Sequence, residues 1–286
     1  LHDAFRSAET LGVYLARNDY GDKFIRHYLA AMGSAIWSAD CATILAFPVS
    51  FFVRFFKNHG LLSVKDRPQW RVIEGGSREY LQPLCERFSD RIFTGNPVSK
   101  VVRHPGRGVT LRMADGQNRM FDQVVFATHS DQALALLENP TPAEREILGA
   151  IPYQTNDVVL HTDIRMLPRN TKTWSSWNYT LGQSDERAVV TYNMNILQGI
   201  EAPETFCVTL NNTAAINPHM ILGQFQYDHP VFSLEGMRAQ QRWEEINGVA
   251  STWYCGAYWH NGFHEDGVVS ALRVANALSG EERAAA

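Results

Sequence analysis

The chain has 286 residues, of which 45% are hydrophobic and 20% are charged. This composition is typical of a folded globular protein and excludes a largely disordered chain, while the length favours two packed lobes. The net charge of −4 and the lack of a long basic cluster argue against nucleic acid as a partner.

The cysteines and the apolar runs bear on where the protein works. The four cysteines are Cys41, Cys85, Cys207 and Cys255. They form no C-x-x-C pair, which favours a reducing cytoplasm. The most apolar run, residues 43–62, is interrupted by Pro48, Arg54 and Lys57, so we expect no integral membrane segment. Because the sequence begins at Leu1 rather than Met, we also expect a fragment.

Residues 1–65 have a helical pattern. The stretch "DKFIRHYLAAMGSAIW" repeats apolar residues at helical spacing, which predicts one buried face. The residues on that face are Phe24, Tyr28, Ala31, Ala35 and Ile36. Pro48 is expected to begin another helix that ends at Asn58–Gly60, and its phenylalanines are predicted to lie in the core.

Residues 66–150 change to short β-rich segments. The segments "RIFTG", "PVSKVVRH", "GVTLRM" and "MFDQVVFAT" are separated by the turn signals "HPGRG" and "ADGQN", which predicts a small antiparallel meander. The apolar stretch at residues 124–127 is followed by a helical pattern that Ser130 could cap. This order is that of a buried strand feeding a helix in an α/β layer.

Residues 151–245 predict an antiparallel sheet, and residues 246–286 a strand followed by a helix. The runs "DVVLHTDI", "TWSSWNYTL", "AVVTYNMNI", "TFCVTLN" and "MILGQFQY" are rich in β-branched and aromatic residues, and "LEGMRAQQRWEEI" predicts a helix. The final stretch "GVVSALRVANAL" predicts an amphipathic helix with Asp266 as its N-cap. Its expected apolar face comprises Val268, Ala271, Leu272, Ala275 and Leu278.

Two short motifs could carry chemistry. In "EGGSREYL", Gly75 and Gly76 follow the strand-like "WRVI" and allow either a tight turn or the close approach of a bulky group. Near the end, His260 and His264 stand four residues apart beside Glu265 and Asp266, as metal ligands could. Asn261-Gly262 breaks the helix between the two histidines, so we assign no metal site, and a metal-dependent hydrolase stays only an alternative.

Three pieces in order carry a family resemblance: "WRVIEGGS", "TGNPVSKV…GVTL…DG…FDQVVFAT" and "WYCGAY…GF…DGVVSALRVA". Together they resemble the flavin-containing amine oxidoreductase superfamily, which includes monoamine oxidases, protoporphyrinogen oxidases and phytoene desaturases. The stretches "NHGLLSV-x-x-RPQW", "EGGSREY", "YNMNILQ" and "GFHEDGVVSAL" are similar to a bacterial branch of predicted NAD/FAD-binding proteins. The resemblance implies an α/β fold with α+β character: a partial FAD-binding Rossmann-like domain with a β-meander, plus a substrate domain of antiparallel sheet and helices.

The resemblance also implies a division of the chain. Residues 1–65 would be the helical part of the substrate domain, and residues 66–150 part of the FAD-binding domain. Residues 151–245 would be the substrate-domain sheet, and residues 246–286 the C-terminal FAD-binding strand and helix.

FAD is the cofactor that the resemblance implies. The residues expected to contact it are Gly75, Gly76, Val98, Ala127, Gly256, Gly262, Phe263, Asp266, Gly267 and Val268. Two departures stand out: Ala257 occupies a position that is usually acidic in the family, and no G-x-G-x-x-G turn occurs in the 286 residues. We therefore expect this chain alone to bind FAD weakly or not at all.

The implied reaction is hydride transfer from an apolar amine or lipid-like substrate to flavin N5. Tyr192, Tyr258 and Trp259 are expected to line the substrate pocket, and Trp259, His260 and His264 are candidate catalytic residues. A small apolar substrate is the expected partner, and a homodimer stays open. The alternative to an oxidoreductase, besides the hydrolase, is a cofactor-free binding or interaction domain.

Overall fold

The computed structural model describes residues 9–63, 65, 69, 71–181 and 189–280. The α-helices are α1 Leu11–Arg17, α2 Asp22–Phe24, α3 Ala31–Trp37, α4 Cys41–Ala46, α5 Val49–Asn58, α6 Leu81–Cys85, α7 Ser130–Leu136, α8 Pro142–Gly149, α9 Met194–Gln198, α10 Leu234–Gln241 and α11 His264–Ser279. A π-helical segment, Ile25–Ala30, joins α2 to α3.

The strands are β1 Val98–His104, β2 Gly108–Met113, β3 Asn118–Phe121, β4 Val124–Phe126, β5 Tyr153–His161, β6 Trp177–Thr180, β7 Val189–Asn193, β8 Cys207–Leu210, β9 Ile221–Pro230 and β10 Thr252–Tyr254. Short 3-10 helices include Ser77–Tyr80, Glu86–Arg91, Thr213–Ala215 and Ala257–Trp259. None of the helices in the described residues is both long enough and apolar enough to span a bilayer.

The chain divides into two compact units. Unit 1 comprises Leu1–Asp90 and Gln154–Val231, and unit 2 comprises Arg91–Tyr153 and Phe232–Ala286. The sequence placed the divisions after residues 65, 150 and 245, whereas residues 66–90 group with unit 1 and residues 232–245 with unit 2. The functional roles expected for these ranges stay predictions.

The helical part of unit 1 is built around the Phe-rich helix α5. Pro48 precedes its first residue and His59 is its C-cap, as the sequence predicts. The Trp37 ring centroid lies 4.7 Å from that of Phe55 and 5.3 Å from that of Phe47, and all three side chains are buried. Burial of these large rings stabilises this layer, and the prediction that the run is core is confirmed.

The apolar face predicted for residues 22–37 is wrong at its first end. Phe24 and Tyr28 are 41% and 38% exposed, and their rings stack on each other with centroids 5.5 Å apart. The reason is the π-helical segment Ile25–Ala30, which changes the residue spacing that places side chains on one face. Only the later part of the stretch, including Ala35, reaches the core.

The sheet of unit 1 has five strands in the order β6-β7-β8-β5-β9. Its interior carries a polar chain: the Asp163 N–H donates to His161 Nδ1 (3.0 Å), and His161 Nε2 lies 2.7 Å from Thr209 Oγ1. Because Nδ1 accepts, Nε2 carries the proton of a neutral ring. Strand β7 ends sooner than "AVVTYNMNI" predicts, since the Asn193 side chain accepts from the Ile196 N–H and begins α9.

In unit 2, β1, β2 and β3 form the antiparallel meander that the turn signals predict. Gly108 has φ +80°, and a Cβ there would overlap the Phe121 carbonyl oxygen, so the first turn requires glycine. Two expected strands are absent. Residues 92–97, part of two segments expected to be strands, are irregular. Residues 71–73 of the strand-like "WRVI" in unit 1 are irregular as well, and Trp70 lies outside the described residues.

A parallel pair, β4 with β10, forms the centre of unit 2. Beside it lies a buried ion pair: Glu144 accepts from Arg103 through both carboxylate oxygens (2.5 and 3.0 Å) and from the Tyr254 hydroxyl (2.7 Å).

Helix α7 begins at Ser130 with His129 as its N-cap, so the predicted capping role of Ser130 is wrong by one residue. The hydroxyl of Tyr153 accepts from the Ser130 N–H (3.0 Å).

Helix α11 differs from its prediction in start and in orientation. It begins at His264 with Phe263 as N-cap, and Asp266, at the third position, accepts from the Phe263 N–H (2.9 Å). Its buried residues are Ser270 and Val274. The predicted apolar face is instead largely exposed: Val268, Ala271, Leu272, Ala275 and Leu278. The apolar residues do recur at helical spacing, but the face that packs carries Ser270 and Val274, and the Ser270 hydroxyl accepts from the Gly256 N–H.

Candidate functional site

The candidate site lies at the carboxyl edge of the parallel pair in unit 2. Phe126 is paired with Tyr254 at the ends of β4 and β10, and the Cys255 N–H donates to the Phe126 carbonyl oxygen (2.9 Å). The segments that follow, beginning at Ala127 and at Gly256, therefore leave the sheet at the same edge. Ligands of α/β proteins bind at this edge because loops and helix N-termini meet there.

Gly256 makes a turn that only glycine can make. Its φ is +154°, and a Cβ there would lie 2.5 Å from Cε1 of Tyr258. The Gly256 N–H donates to Ser270 Oγ (3.0 Å), and Ser270 is 1% exposed on α11. The hydroxyl thus ties the turn after β10 to the helix that follows it.

The amide of Gln240 fixes the rest of this turn. Its Nε2 donates to the carbonyl oxygens of Tyr258 and His260, both at 2.8 Å. Ser270 and Gln240 are the residues that sequence reasoning missed as organisers of the site. No local signal in the sequence marks either residue, because both act on backbone groups distant in sequence.

The first turn of α11 combines open space with acidic side chains. Gly262 has φ +93°, and its N–H donates to the Ala257 carbonyl oxygen (3.1 Å). A Cβ at Gly267 would meet no atom within 4 Å among the described residues. The N–H groups at a helix start attract negative charge, but Glu265 and Asp266 already supply it here. This end suits a neutral acceptor such as a carbonyl oxygen better than a phosphate.

Tyr258 and Trp259 are core residues of unit 2. Each is 4% exposed, and their ring centroids are 5.2 Å apart. Burial raises the pKa of the Tyr258 hydroxyl, so this group stays protonated at neutral pH. Their expected role as pocket walls stays a prediction.

Most, but not all, of the expected cofactor residues belong to one unit. Unit 2 holds Ala127, Gly256, Gly262, Phe263, Asp266, Gly267 and Val268, together with Val98 at the start of β1. Gly75 and Gly76, with φ of +79° and +92°, belong to unit 1. Tyr192 is also in unit 1, where its hydroxyl donates to the Ala35 carbonyl oxygen (3.3 Å) and burial raises its pKa to about 12.

The histidines do not form a metal centre. His264 is the exposed first residue of α11, and His260 stands in the turn before it. Within the described residues, no group of three or more His, Cys, Asp or Glu side chains is placed to hold a metal ion. The metal-dependent hydrolase gains no support from this arrangement.

Similarity to solved structures extends over nearly the whole chain. A CLA-producing fatty acid isomerase from P. acnes has 14% identity and a TM-score of 0.66, covering 94% of this chain and 66% of its own. Putrescine oxidase bound to putrescine has 12% identity and a TM-score of 0.63, with coverages of 96% and 68%. An oxidoreductase from Methanosarcina mazei has 12% identity and a TM-score of 0.58, with coverages of 95% and 68%.

At these identities the likeness shows a shared fold, and the chain spans about two thirds of the length of these structures. A comparison with curated protein sequences gives no match. The sequence profile of one family, described as flavin containing amine oxidoreductase, matches residues 7–171, more than half of the chain. With its α/β fold and its glycine turn at the carboxyl edge of a parallel strand pair, this chain belongs to the flavin-containing amine oxidoreductase family.

Proposed function

We propose that this chain works as an FAD-dependent oxidoreductase of the amine-oxidase type, taking a hydride from an apolar amine or lipid-like substrate. The observation that carries the proposal is the Gly256 turn, which lies at the carboxyl edge of β4 and β10 and is bound to Ser270 of α11. A similar fold in a putrescine oxidase and a fatty acid isomerase supports the two substrate classes.

The residues at this edge fit the ring end of FAD. Gly267 leaves the backbone at the start of α11 open, and a neutral carbonyl acceptor suits N–H groups already flanked by Glu265 and Asp266. They do not fit the pyrophosphate. Two carboxylates repel phosphate, and no G-x-G-x-x-G turn occurs in the sequence.

The bound flavin supplies the hydride acceptor at N5, so the protein needs no nucleophile. The backbone N–H groups at the start of α11 would hold the ring by its carbonyl edge, and Ser270 fixes the Gly256 turn by accepting its N–H. Trp259, His260 and His264 stay candidates for positioning the substrate or moving its proton. A homodimer and a cytoplasmic location stay predictions.

The proposal is tested by titrating the purified chain with riboflavin, FMN and FAD while following flavin fluorescence. Because the residues fit the ring and not the pyrophosphate, we expect weak binding with similar affinity for all three. The change Gly256→Ala should abolish it. Gly116→Ala is the matched control, because Gly116 also has positive φ (+85°) but lies in the β2–β3 turn.

If no flavin binds the parent chain, the ring-end assignment is wrong. If Gly256→Ala binds as well as Gly116→Ala does, the turn has no role in binding. Substrate class is then tested by anaerobic reduction of the flavin-loaded protein with an alkylamine and, separately, with an unsaturated fatty acid.

The second candidate is a cofactor-free binding or interaction domain. Its supporting observation is the lack of a phosphate-binding glycine turn in the sequence. It predicts that none of the three flavins binds, so the same titration separates the two functions.

A further inference from the structure

A cavity of about 490 Å³ opens on the five-stranded sheet of unit 1, between β5 and β9. Its volume falls within the range of small-molecule sites. The lining residues are Asp157, Val158, Val159, Thr213, Gln224, Phe225 and Gln226. All of them belong to unit 1.

Because successive side chains of a strand point to opposite faces of the sheet, some lining residues contribute their side chains to the cavity and others only their backbone. Gln226 Nε2 donates to Asp157 Oδ1 (3.3 Å), so these two side chains share one face of the sheet. Val159 and Gln224, two residues along their strands, share that face as well. Val158 and Phe225 point to the other face and contribute backbone. The side chains that can contact a ligand on this face are therefore the polar Asp157, Gln224 and Gln226 and the apolar Val159. Val159 is 1% exposed and forms the base of the cavity.

Asp157 is held in place by its neighbour Asn211. The Asp157 N–H donates to Asn211 Oδ1 (3.1 Å), and the Asn211 N–H donates to the Asp157 carbonyl oxygen (2.9 Å). In the described part of the chain, no Lys or Arg forms an ion pair with the Asp157 carboxylate. A half-buried carboxylate with a fixed backbone thus keeps acceptor capacity for a ligand.

The other polar groups both donate and accept. Within the described ranges, neither the Gln224 amide nor the Thr213 hydroxyl makes a hydrogen bond to the protein. An amide offers an N–H and a carbonyl oxygen, and a hydroxyl offers both functions on one atom. Together with Asp157 and Gln226, they present donors and acceptors side by side.

This set selects among ligand classes by charge and by hydrogen bonding. An anion is excluded because the one charged group in the lining, Asp157, is itself negative. An ammonium ion has donors only, so it would bind the carboxylate but could accept no hydrogen bond from the Gln224 amide or the Thr213 hydroxyl. A ligand hydroxyl donates to the carboxylate and accepts from an amide, which satisfies both kinds of group.

We propose that this cavity binds a neutral polyhydroxylated molecule of monosaccharide size, held by Asp157, Gln224, Gln226 and Thr213 above Val159. The assignment uses residues of unit 1 alone.

The experiment is calorimetry and saturation-transfer NMR on the full chain with four neutral probes: D-glucose, D-galactose, D-mannose and glycerol. The cationic arm uses n-butylammonium chloride. We expect at least one sugar to bind, and Asp157→Asn to weaken it at least tenfold, because a hydrogen bond to a charged group is stronger than one to a neutral amide. Gln224→Ala, at an exposed position, should weaken it as well.

Tyr227→Ala is the matched control, since Tyr227 is 53% exposed on the opposite face of β9. Far-UV circular dichroism and the unfolding midpoint show whether each variant folds. The proposal is overturned if none of the four neutral probes binds at millimolar concentration, or if butylammonium binds in their place. It is also overturned if Tyr227→Ala weakens sugar binding as much as Asp157→Asn does.

Discussion

Replacing Glu144 by glutamine should expose how much of the stability of unit 2 rests on one buried carboxylate. Glu144 is 1% exposed in α8 and accepts from three groups: the Arg103 guanidinium, the Tyr254 hydroxyl and the Thr141 N–H (2.7 Å). Glutamine keeps the shape of the side chain but removes the charge and turns one acceptor into a donor.

The magnitude follows from what the substitution leaves behind. The Arg103 side chain is only 10% exposed, so its charge would be buried without a counter-ion. Removing one partner of a buried ion pair costs about 3–5 kcal/mol. An N–H of the new amide would also face the Arg103 donors. We therefore expect Glu144→Gln to lower the free energy of unfolding by about 3–5 kcal/mol.

The assay is urea unfolding followed by tryptophan fluorescence, with Glu146→Gln as the matched control. Glu146 lies two residues further along the same helix and also pairs with an arginine, Arg242, at 2.5 Å, but its side chain is 64% exposed. Solvent screens this pair, so the control should unfold like the parent. Equal losses for the two variants would refute the reasoning that burial decides the cost.

The pH dependence gives an independent check. Burial alone would raise the pKa of the Glu144 carboxyl, but hydrogen bonds from Arg103, Thr141 and Tyr254 bring it below its ordinary value of 4.5 on balance. A lowered pKa in the folded state means stabilisation that is complete above 4.5 and is lost as the pH falls below it. Glu144→Gln should remove this part of the acid sensitivity.

Three further predictions concern other sites. Burial lowers the pKa of His161 below its ordinary value of 6.5, so the folded state binds a proton at this ring less readily than the unfolded state does. The free energy of unfolding should therefore fall as the pH drops below 6.5. His161→Gln should reduce this pH dependence of the urea midpoint. Burial raises the pKa of the Cys207 thiol to about 11, so a thiol reagent at neutral pH should modify Cys207 only after unfolding, as timed labelling and mass spectrometry would show. Gly256→Ala should lower the free energy of unfolding by about 1–3 kcal/mol, because the new side chain would strain the backbone and contact Tyr258. Gly267→Ala should raise the free energy of unfolding by up to about 1 kcal/mol, because Gly267 lies in a helix with open space around it. A loss at Gly267 equal to that at Gly256 would contradict this reasoning.

The sequence predicts most of the local structure because short-range signals are strong there. Pro48 marks a helix start, and the turn signals around Gly108 and Gly116 define the meander. It fails where packing decides. The π-helical turn at Ile25–Ala30 and the orientation of α11 on Ser270 and Val274 depend on contacts between elements. The spacing of apolar residues shows that a helix has an apolar face, but it cannot show which element that face packs against.

The candidate site divides in the same way. Family resemblance placed Gly256, Gly262 and Gly267 at the cofactor, and the structure gathers them at one edge of unit 2. Ser270 and Gln240 could not be predicted, because a hydroxyl or an amide that serves a distant backbone group leaves no local signature. The polar cavity between β5 and β9 combines residues of two strands and a 3-10 helix, so no single stretch encodes it.

The pairing of β4 with β10 joins Val124 to Thr252 across all of the intervening chain. Closing so long a loop costs conformational entropy before the contact returns any energy, so pairs of this kind slow folding. Residues 154–231 of unit 1 lie within that loop and emerge from the ribosome before β10 exists. The edge that carries the Gly256 turn therefore cannot form until Thr252–Tyr254 have been synthesised, which is after strands β5 to β9 of unit 1.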